Sequence, residues 1–553
     1  MVDPSGGWPR TCESCGRTGF QPSGWALHRK GPTGRAGVCI KDEVSNKYGI
    51  RPSDVAPPVP AATHTAPNTA NDGDLSTQLQ RLRQANRLFD HVPKAARHAA
   101  AESLTKVLAD TCSTNDNSRW GKLLTFPYLA FSKPDKSEKV SLATIVKRNL
   151  GREGNFLAMS RRSNTSKAKG LDAKLRTAVE KKIQAAAPAD TDFPPDPGVN
   201  NPGVDDLVAN EIKPGEVREA VRSFPNGSSG GLDELFPQHM KDLLAGANGE
   251  IAERLSEQVA ALLNIMLRGK VPLEVCPLLY GATLTALKKK DGGIRPIAVG
   301  TVWRRILGKI VAKRVMSQMA LLMRPCQLGC GTRGGVEAAA HATRAFMSET
   351  GETRVLLKLD FANAFNTVRR DAVLRAVQLR MPYLYPTVWQ MYRHLSHLFF
   401  GDFLLSSESG VQQGDPLGPM LFCLVTRTLS MSLQSPLKTF YLDDGTVGGS
   451  VEEVLEDFER VAALGAEVGL ELNPSKCDEV FVYGGDQTSR DAATASIRQF
   501  IPKLLSPTPE ELELLGAPLL TTASTQLLKR NRQPSPYSPT GYLCCQLTKH
   551  SSS

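Results

Sequence analysis

The segment Thr439-Phe-Tyr-Leu-Asp-Asp-Gly-Thr-Val447 constrains this chain more than any other. Two β-prone arms flank Asp-Asp-Gly, which predicts a hairpin with Asp443 and Asp444 at its tip, the glycine tolerating a positive φ at the turn. Adjacent carboxylates on a tight turn repel each other unless water or a cation separates them, so a hard, oxygen-liganded ion is a natural occupant. Alone, an Asp-Asp-Gly turn reads more readily as solvated surface. A second acidic position closes the apolar run Val355-Leu-Leu-Lys-Leu-Asp-Phe361, a buried strand whose Asp360 can face a cleft where the chain emerges. Beyond it, Arg369–Arg380 has a helical pattern with Val373, Leu374, Val377 and Leu379 on the apolar face.

The 553 residues exceed one ordinary core, and 41% hydrophobic residues suffice to build on the order of two to four folded units. A formal charge of +11 and a pI near 9.1 favour a polyanionic partner, because Lys and Arg that neutralise phosphates release counterions; an anionic membrane surface is the rival. No apolar run reaches roughly 18 residues and no leader pattern opens the chain, which predicts an intracellular protein without membrane insertion. The cysteines number eleven, and most, such as Cys276 and Cys423, stand singly among apolar neighbours as reduced core thiols do.

Composition divides the chain further. Residues 1–45 hold the ligand-like cysteines, 46–78 read as a disordered linker rich in Pro, Ala and Thr, and 79–160 as a basic helical region split by Pro93. A polar linker is expected over 161–205. Residues 206–500 carry nearly all the interpretable chemistry, and 501–553 form a divergent tail. Within the main segment Val451, Val454, Leu455, Phe458, Val461 and Leu464 mark an amphipathic helix whose stripe is core.

Four runs occur in order: Asp360-Phe-Ala-Asn-Ala-Phe365, Gln412-Gln-Gly-Asp-Pro-Leu-Gly-Pro-Met-Leu-Phe422, Tyr441-Leu-Asp-Asp444 and Gly469-Leu-Glu-Leu-Asn-Pro-Ser-Lys476. Together they resemble palm motifs A to D of reverse transcriptases. Upstream, Ser228-Ser-Gly-Gly-Leu-Asp233, Leu287-Lys-Lys-Lys-Asp-Gly-Gly-Ile-Arg-Pro-Ile297 and Cys326-Gln-Leu-Gly329 resemble the fingers of non-LTR (LINE-like) retrotransposon enzymes. The resemblance covers about residues 206–520 and implies an α+β fold: right-hand fingers and palm, with an antiparallel palm sheet and packed helices, after a small zinc-finger-like module and linkers.

The implied activity is RNA-directed DNA polymerisation, moving a nucleotide from a dNTP to a primer 3′-hydroxyl on an RNA template, with DNA as primer and target. It implies two Mg²⁺ ions, with Mn²⁺ as the alternative, held by Asp360, Asp443 and the weaker ligand Asp444. The Phe361 carbonyl would complete a shell. Lys288, Lys289 and Arg295 fit the need for fixed cations at the triphosphate; the alternative is a solvated basic turn around Asp291-Gly-Gly, against which the Arg295-Pro-Ile297 that follows favours the family reading, with Lys289 and Arg295 as the phosphate contacts. By the same resemblance Phe365 packs against the sugar and excludes a 2′-hydroxyl, Gln413 and Gly414 support the nascent base pair, and Lys476 protonates pyrophosphate.

Cys12, Cys15, His28 and Cys39 give C-x2-C-x12-H-x10-C, which resembles a Cys/His zinc finger holding a structural Zn²⁺. The last interval is longer than usual. A nuclear site of action follows from the retrotransposon reading, with the cytoplasm as the alternative. Leu514-Leu-Gly-Ala-Pro518 resembles a primer grip, but no thumb or endonuclease is recognisable after it, so a truncated C-terminus is expected. The alternative is a catalytically silent nucleic-acid-binding remnant.

Overall fold

The computed structural model describes residues 75–134, 140–151, 173–183, 192–197, 211–246, 249–289, 293–349, 351–473, 477, 479–502 and 504–520. Four helices come first: α1 (Leu75–Ala85), α2 (Arg97–Thr114), α3 (Asn117–Ala130) and α4 (Leu142–Leu150). Pro93 lies in the break between α1 and α2, where its missing N–H costs nothing. Asp116 starts α3 by accepting the Arg119 N–H.

These helices share one core with the middle of the chain. Val92, Leu104, Trp120, Tyr128 and Phe131 are buried in the cluster that also holds Val217 and Leu263, on the helices α6 (Pro214–Arg222) and α8 (Glu250–Leu267). Asp242, on the intervening α7 (Pro237–Leu243), accepts the Val92 N–H at 2.9 Å and pairs with Arg97 at 2.7 Å. The region expected as 79–160 is thus continuous with the main segment, a join that helical spacing alone cannot reveal.

The linker expected over 161–205 contains a helix, α5 (Ala173–Ile183). Val179 and Ile183 are buried against Ala282, Leu284, Leu398 and Phe400. Eleven residues with so narrow an apolar stripe have little helicity alone, and docking on a sheet supplies what the local pattern lacks.

The sheet it meets begins with the antiparallel strands β1 (Ala282–Lys288) and β2 (Ile294–Gly300). Then come α9 (Val302–Met323), started by the Thr301 side chain, α10 (Gly335–Ser348), β3 (Arg354–Leu359), α11 (Arg370–Arg380) and α12 (Tyr385–Tyr392). The hairpin β4 (Ser396–Phe400) and β5 (Phe403–Ser407) completes the first sheet in the order β2-β1-β4-β5. After α13 (Gly418–Ser432), the strands β6 (Leu437–Tyr441), β7 (Asp444–Gly449) and β8 (Val480–Tyr483) join β3 in a second sheet, order β6-β7-β3-β8, antiparallel throughout. This is the α+β arrangement expected, with the two carboxylate-bearing segments in adjacent strands.

Two helices, α14 (Val451–Glu467) and α15 (Gln487–Phe500), and the short pair β9 (Glu513–Leu514) and β10 (Ala517–Pro518) finish the described chain. Val454 and Val461 of the expected α14 stripe are buried, and the same helix buries Asp457, which accepts the N–H groups of Gln434 and Ser435 ahead of β6. The expected apolar face of α11 is narrower than predicted: Val373, Leu374 and Val377 are buried, whereas Leu379 is 59% exposed. Among the described residues no helix is long and apolar enough to cross a membrane.

Candidate active site

β7 is central in the second sheet, paired with β6 on one side and β3 on the other. Tyr441 faces Asp444, so Leu442 and Asp443 are the two turn residues, and Leu359 faces Gly445, so Asp360 leaves β3 beside the hairpin tip. The expected role of the glycine is corrected. The positive φ, 60°, belongs to Leu442, while Gly445 lies within the strand, where a Cβ would approach the Phe440 ring to 2.6 Å. Only a residue without a side chain fits between Phe440 and Leu359. The strained backbone at Leu442, worth about 1–3 kcal/mol for a residue with a Cβ, sits directly before Asp443.

Asp360 is buried and Asp443 and Asp444 are half-buried. Burial, then the charge of Asp444, then that of Asp360 push the Asp443 carboxyl up to about 6, opposed by Arg295. The three acids therefore share one field, and the charge of Arg295 on β2 reaches Asp443. Among the described residues no group of three or more His, Cys, Asp or Glu side chains is gathered closely enough to hold a metal ion. The donors at this tip are all carboxylate oxygens, the set a hard divalent cation prefers, and a cation between them would remove the repulsion that raises Asp443.

Sequence reasoning missed the groups that seat Asp360. The Asn473 N–H donates to the Asp360 carbonyl at 2.8 Å, and its side-chain amide donates to Oδ1 at 3.3 Å. The Asp360 N–H donates to Cys477 Sγ at 3.2 Å, and the thiol returns a bond to the Asp360 carbonyl at 3.3 Å. The run Gly469–Lys476 was visible in the sequence, but nothing in it told that residue 473 backs residue 360. The Phe361 ring is core, and its backbone bridges to Leu472.

Phe365 is half-buried and stacks on Phe422, ring centroids 4.9 Å apart and planes 10° apart. The Gln413 carbonyl accepts the Ala298 N–H at 2.7 Å, which fastens this turn to the edge of β2. Gly414 follows with φ 114°, and a Cβ there would stand 2.6 Å from the Ala298 oxygen. The close approach that requires this glycine is therefore to β2. Strand alternation separates the three basic residues: Arg295 pairs with Leu287, and Lys289, whose N–H donates to the Gly293 carbonyl, continues that face, while Lys288 points to the opposite one. Lys476 and the proposed zinc ligands Cys12, Cys15, His28 and Cys39 lie outside the described residues.

The β9–β10 hairpin shares a cleft with Asp444. A cleft is lined by Lys358, Asp444 and Thr446 on one side and by Glu513, Leu514 and Gly516 on the other. Arg344 of α10 holds this hairpin through the Pro518 carbonyl, 3.2 Å from Nε.

Residues 287–519 match the family described as "Reverse transcriptase (RNA-dependent DNA polymerase)". The chain is 30% identical over 326 residues to the retrotransposable element SLACS 132 kDa protein of Trypanosoma brucei gambiense, covering 56% of this chain and 26% of that protein. It is 31% identical over 195 residues to the retrovirus-related Pol polyprotein from type-1 retrotransposable element R2 of Popillia japonica, covering 31% of this chain and 25% of the relative. The chain thus spans about a quarter of the length of these curated relatives. Solved structures it resembles include a telomerase from Candida albicans, at 11% identity and TM-score 0.29 over 37% of this chain and 43% of the other. Another is the RNA-dependent RNA polymerase of a human picobirnavirus, at 17% identity and TM-score 0.28 over 37% of this chain and 42% of the other. The part of this chain that is similar in sequence to reverse transcriptases, residues 287–519, contains Asp360, Asp443, Asp444 and Arg295 together.

Proposed function

We propose that this chain is an RNA-directed DNA polymerase of the non-LTR retrotransposon type. The observation that carries the reading is the convergence of Asp360, Asp443 and Asp444 at one end of an antiparallel sheet, within reach of the Arg295 charge, in a segment similar to reverse transcriptases. In the reaction the primer 3′-oxygen bonds to the α-phosphorus of a dNTP, the bond to the bridging oxygen breaks, and pyrophosphate leaves. Two Mg²⁺ ions, or Mn²⁺ in their place, supply activation of the 3′-hydroxyl and neutralisation of the leaving group when bound. Asp360 and Asp443 would hold them with help from Asp444 and the Phe361 carbonyl.

The remaining roles rest on the motif resemblance, supported by shared strand placement for Arg295 and Lys289 and by the ring stack for Phe365. Arg295 and Lys289, on one strand face, neutralise the triphosphate, and Lys476 donates a proton to pyrophosphate. Phe365, braced by Phe422, meets the sugar, and the turn at Gln413 and Gly414 meets the base pair. The β9–β10 hairpin, which lines a cleft together with Asp444, would hold the primer end, as the primer-grip resemblance of Leu514–Pro518 implies. The charge of +11 supports binding to RNA template and DNA primer and target. A structural Zn²⁺ on Cys12, Cys15, His28 and Cys39 and a nuclear site of action belong to the same reading and rest on ligand spacing and on the retrotransposon relatives.

The test is extension of a DNA primer on an RNA template by the purified full chain with Mg²⁺. Asp443→Asn, and separately Asp360→Asn, should reduce extension to background while leaving nucleic-acid affinity within about threefold, since the affinity comes from basic residues elsewhere. Activity surviving either substitution refutes the assignment.

A further inference from the structure

The hairpin that carries Asp443 turns on Leu442 at φ 60°, a conformation that tight hairpins ordinarily give to Gly, Asn or Asp. The Leu442 side chain packs on the main core, so the residue contributes something a glycine there would not. Left alone, a leucine in this position drifts toward negative φ, and the next residue turns with it. One side chain opposes that drift.

Gln327 is 1% exposed and lies beside the turn. Its amide nitrogen donates to the Leu442 carbonyl at 3.0 Å, and its amide oxygen accepts the Leu442 N–H at 2.9 Å and the Gly329 N–H at 3.0 Å. A single amide therefore satisfies both backbone polar groups of the strained residue. The segment around it is itself fixed to the sheet. The Phe440 N–H donates to the Cys326 carbonyl at 2.8 Å and the Leu328 N–H to the Phe440 carbonyl at 2.7 Å, so residues 326–328 run parallel along the outer edge of β6. Gln327 thus refers the turn to the rigid sheet and not to a mobile loop.

We propose that Gln327 is a positioning residue: it holds Leu442 in the left-handed region and thereby sets where the Asp443 carboxylate stands relative to Asp360 and Asp444. The step from placement to catalysis rests on the polymerase function proposed for this chain. Mutual repulsion of the acids pushes the tip open, and the amide clamp, bonded on both sides of one residue, resists that push in the absence of cation. Gln327 touches no reacting atom.

The experiment uses the full chain as wild type, Gln327→Met, which keeps length and removes the amide, and Gln327→Glu, which keeps shape and removes the donor to the Leu442 carbonyl. Each is combined with Leu442→Gly, since glycine enters the left-handed region without a Cβ clash. Gln327→Met should raise the Mg²⁺ concentration for half-maximal primer extension by about tenfold and lower the saturated rate by a similar factor, the size usual for groups that orient metal ligands. In the Leu442→Gly background the same substitution should cost under about threefold, a non-additivity that a generally destabilising change does not produce. Gln327→Glu should fall between and covers the case in which the methionine variant folds poorly. Unchanged Mg²⁺ dependence in both variants, or an equal loss in both backgrounds, overturns the proposal.

Amide hydrogen exchange of the 440–446 segment and binding of Mn²⁺ alone do not require activity. Gln327→Met should speed exchange at Leu442 and weaken Mn²⁺ binding by about tenfold. If wild type extends no primer while these two measurements shift, the polymerase reading fails and the clamp stands. If wild type extends primer and neither measurement moves, the clamp fails alone.

Discussion

Replacing Arg304 by Met tests whether the Gln412–Asp415 turn is held by a buried ion pair. Arg304, in the first turn of α9, and Asp415 are each 1% exposed in their side chains. The guanidinium donates through Nε to Asp415 Oδ2 at 2.9 Å, bonds the same oxygen again, and reaches the Tyr392 hydroxyl at 2.9 Å and the Tyr280 carbonyl. Asp415 also accepts the Leu417 N–H at 3.0 Å and the Tyr392 hydroxyl at 3.2 Å. Burial works against the charge on Arg304, and Asp415, Tyr392 and Tyr280 more than offset it. Methionine fills the volume but leaves a buried carboxylate with only the tyrosine and one N–H, a loss of about 3–5 kcal/mol. That is a large share of the roughly 5–15 kcal/mol that holds a typical domain. Urea unfolding followed by the fluorescence of the buried neighbour Trp303 measures it. Arg304→Met with Asp415→Asn removes both charges and should recover at least about 2 kcal/mol of the loss. A single-substitution loss under about 1 kcal/mol, or a double variant as unstable as the sum of the two singles, refutes the reasoning.

Phe365→Ala removes the ring stacked on Phe422 and should raise incorporation of ribonucleotides relative to deoxyribonucleotides by at least about tenfold, read from extension with each nucleotide set. Equal discrimination before and after would return Phe365 to a packing role. His239 gives a pH dependence: its Nε2–H donates to the Phe89 carbonyl at 2.6 Å and Nδ1 accepts the Phe236 N–H, and burial pulls its pKa down to about 4. The unfolded chain takes up that proton first, so the contribution is full above pH about 6.5 and is lost as pH falls toward 4, about 3 kcal/mol in all. The stability gap between wild type and His239→Gln, measured by denaturant titration, should narrow by that amount from pH 7 to pH 4, and a constant gap excludes the assignment. Asp233, pushed up to about 7 by burial, has the opposite sign, so Asp233→Asn should gain on wild type as pH rises from 4 to 8.

Local pattern was enough to place the carboxylates on their elements. The apolar run ending at Asp360 and the β-prone arms around Asp443 each carry their own period and length, and both are strands where predicted. The helix after Asp360 and the stripe of α14 were legible for the same reason, and Pro93 marked a break because its chemistry is local. Order of motifs along the chain then pointed to the chemistry without any knowledge of distances.

Tertiary structure decided everything that depends on which strand lies next to which. Gly445 is a glycine because Phe440 and Leu359 flank it, a fact of sheet order, and the strain that the sequence assigned to glycine falls on Leu442 because the turn is only two residues long. The groups that seat Asp360 and the Leu442 turn are long-range: Asn473 and Cys477 hold Asp360 across 113 and 117 residues, and Gln327 holds Leu442 across 115. A side-chain amide or thiol has no periodicity that announces its partner, since hydrogen bonds between distant segments are fixed only when both are packed. The docking of α5, whose narrow stripe is too weak to read as a helix alone, obeys the same rule: its burial is supplied by β1, β2 and β4, strands that come from far along the chain and exist only once the sheet is assembled.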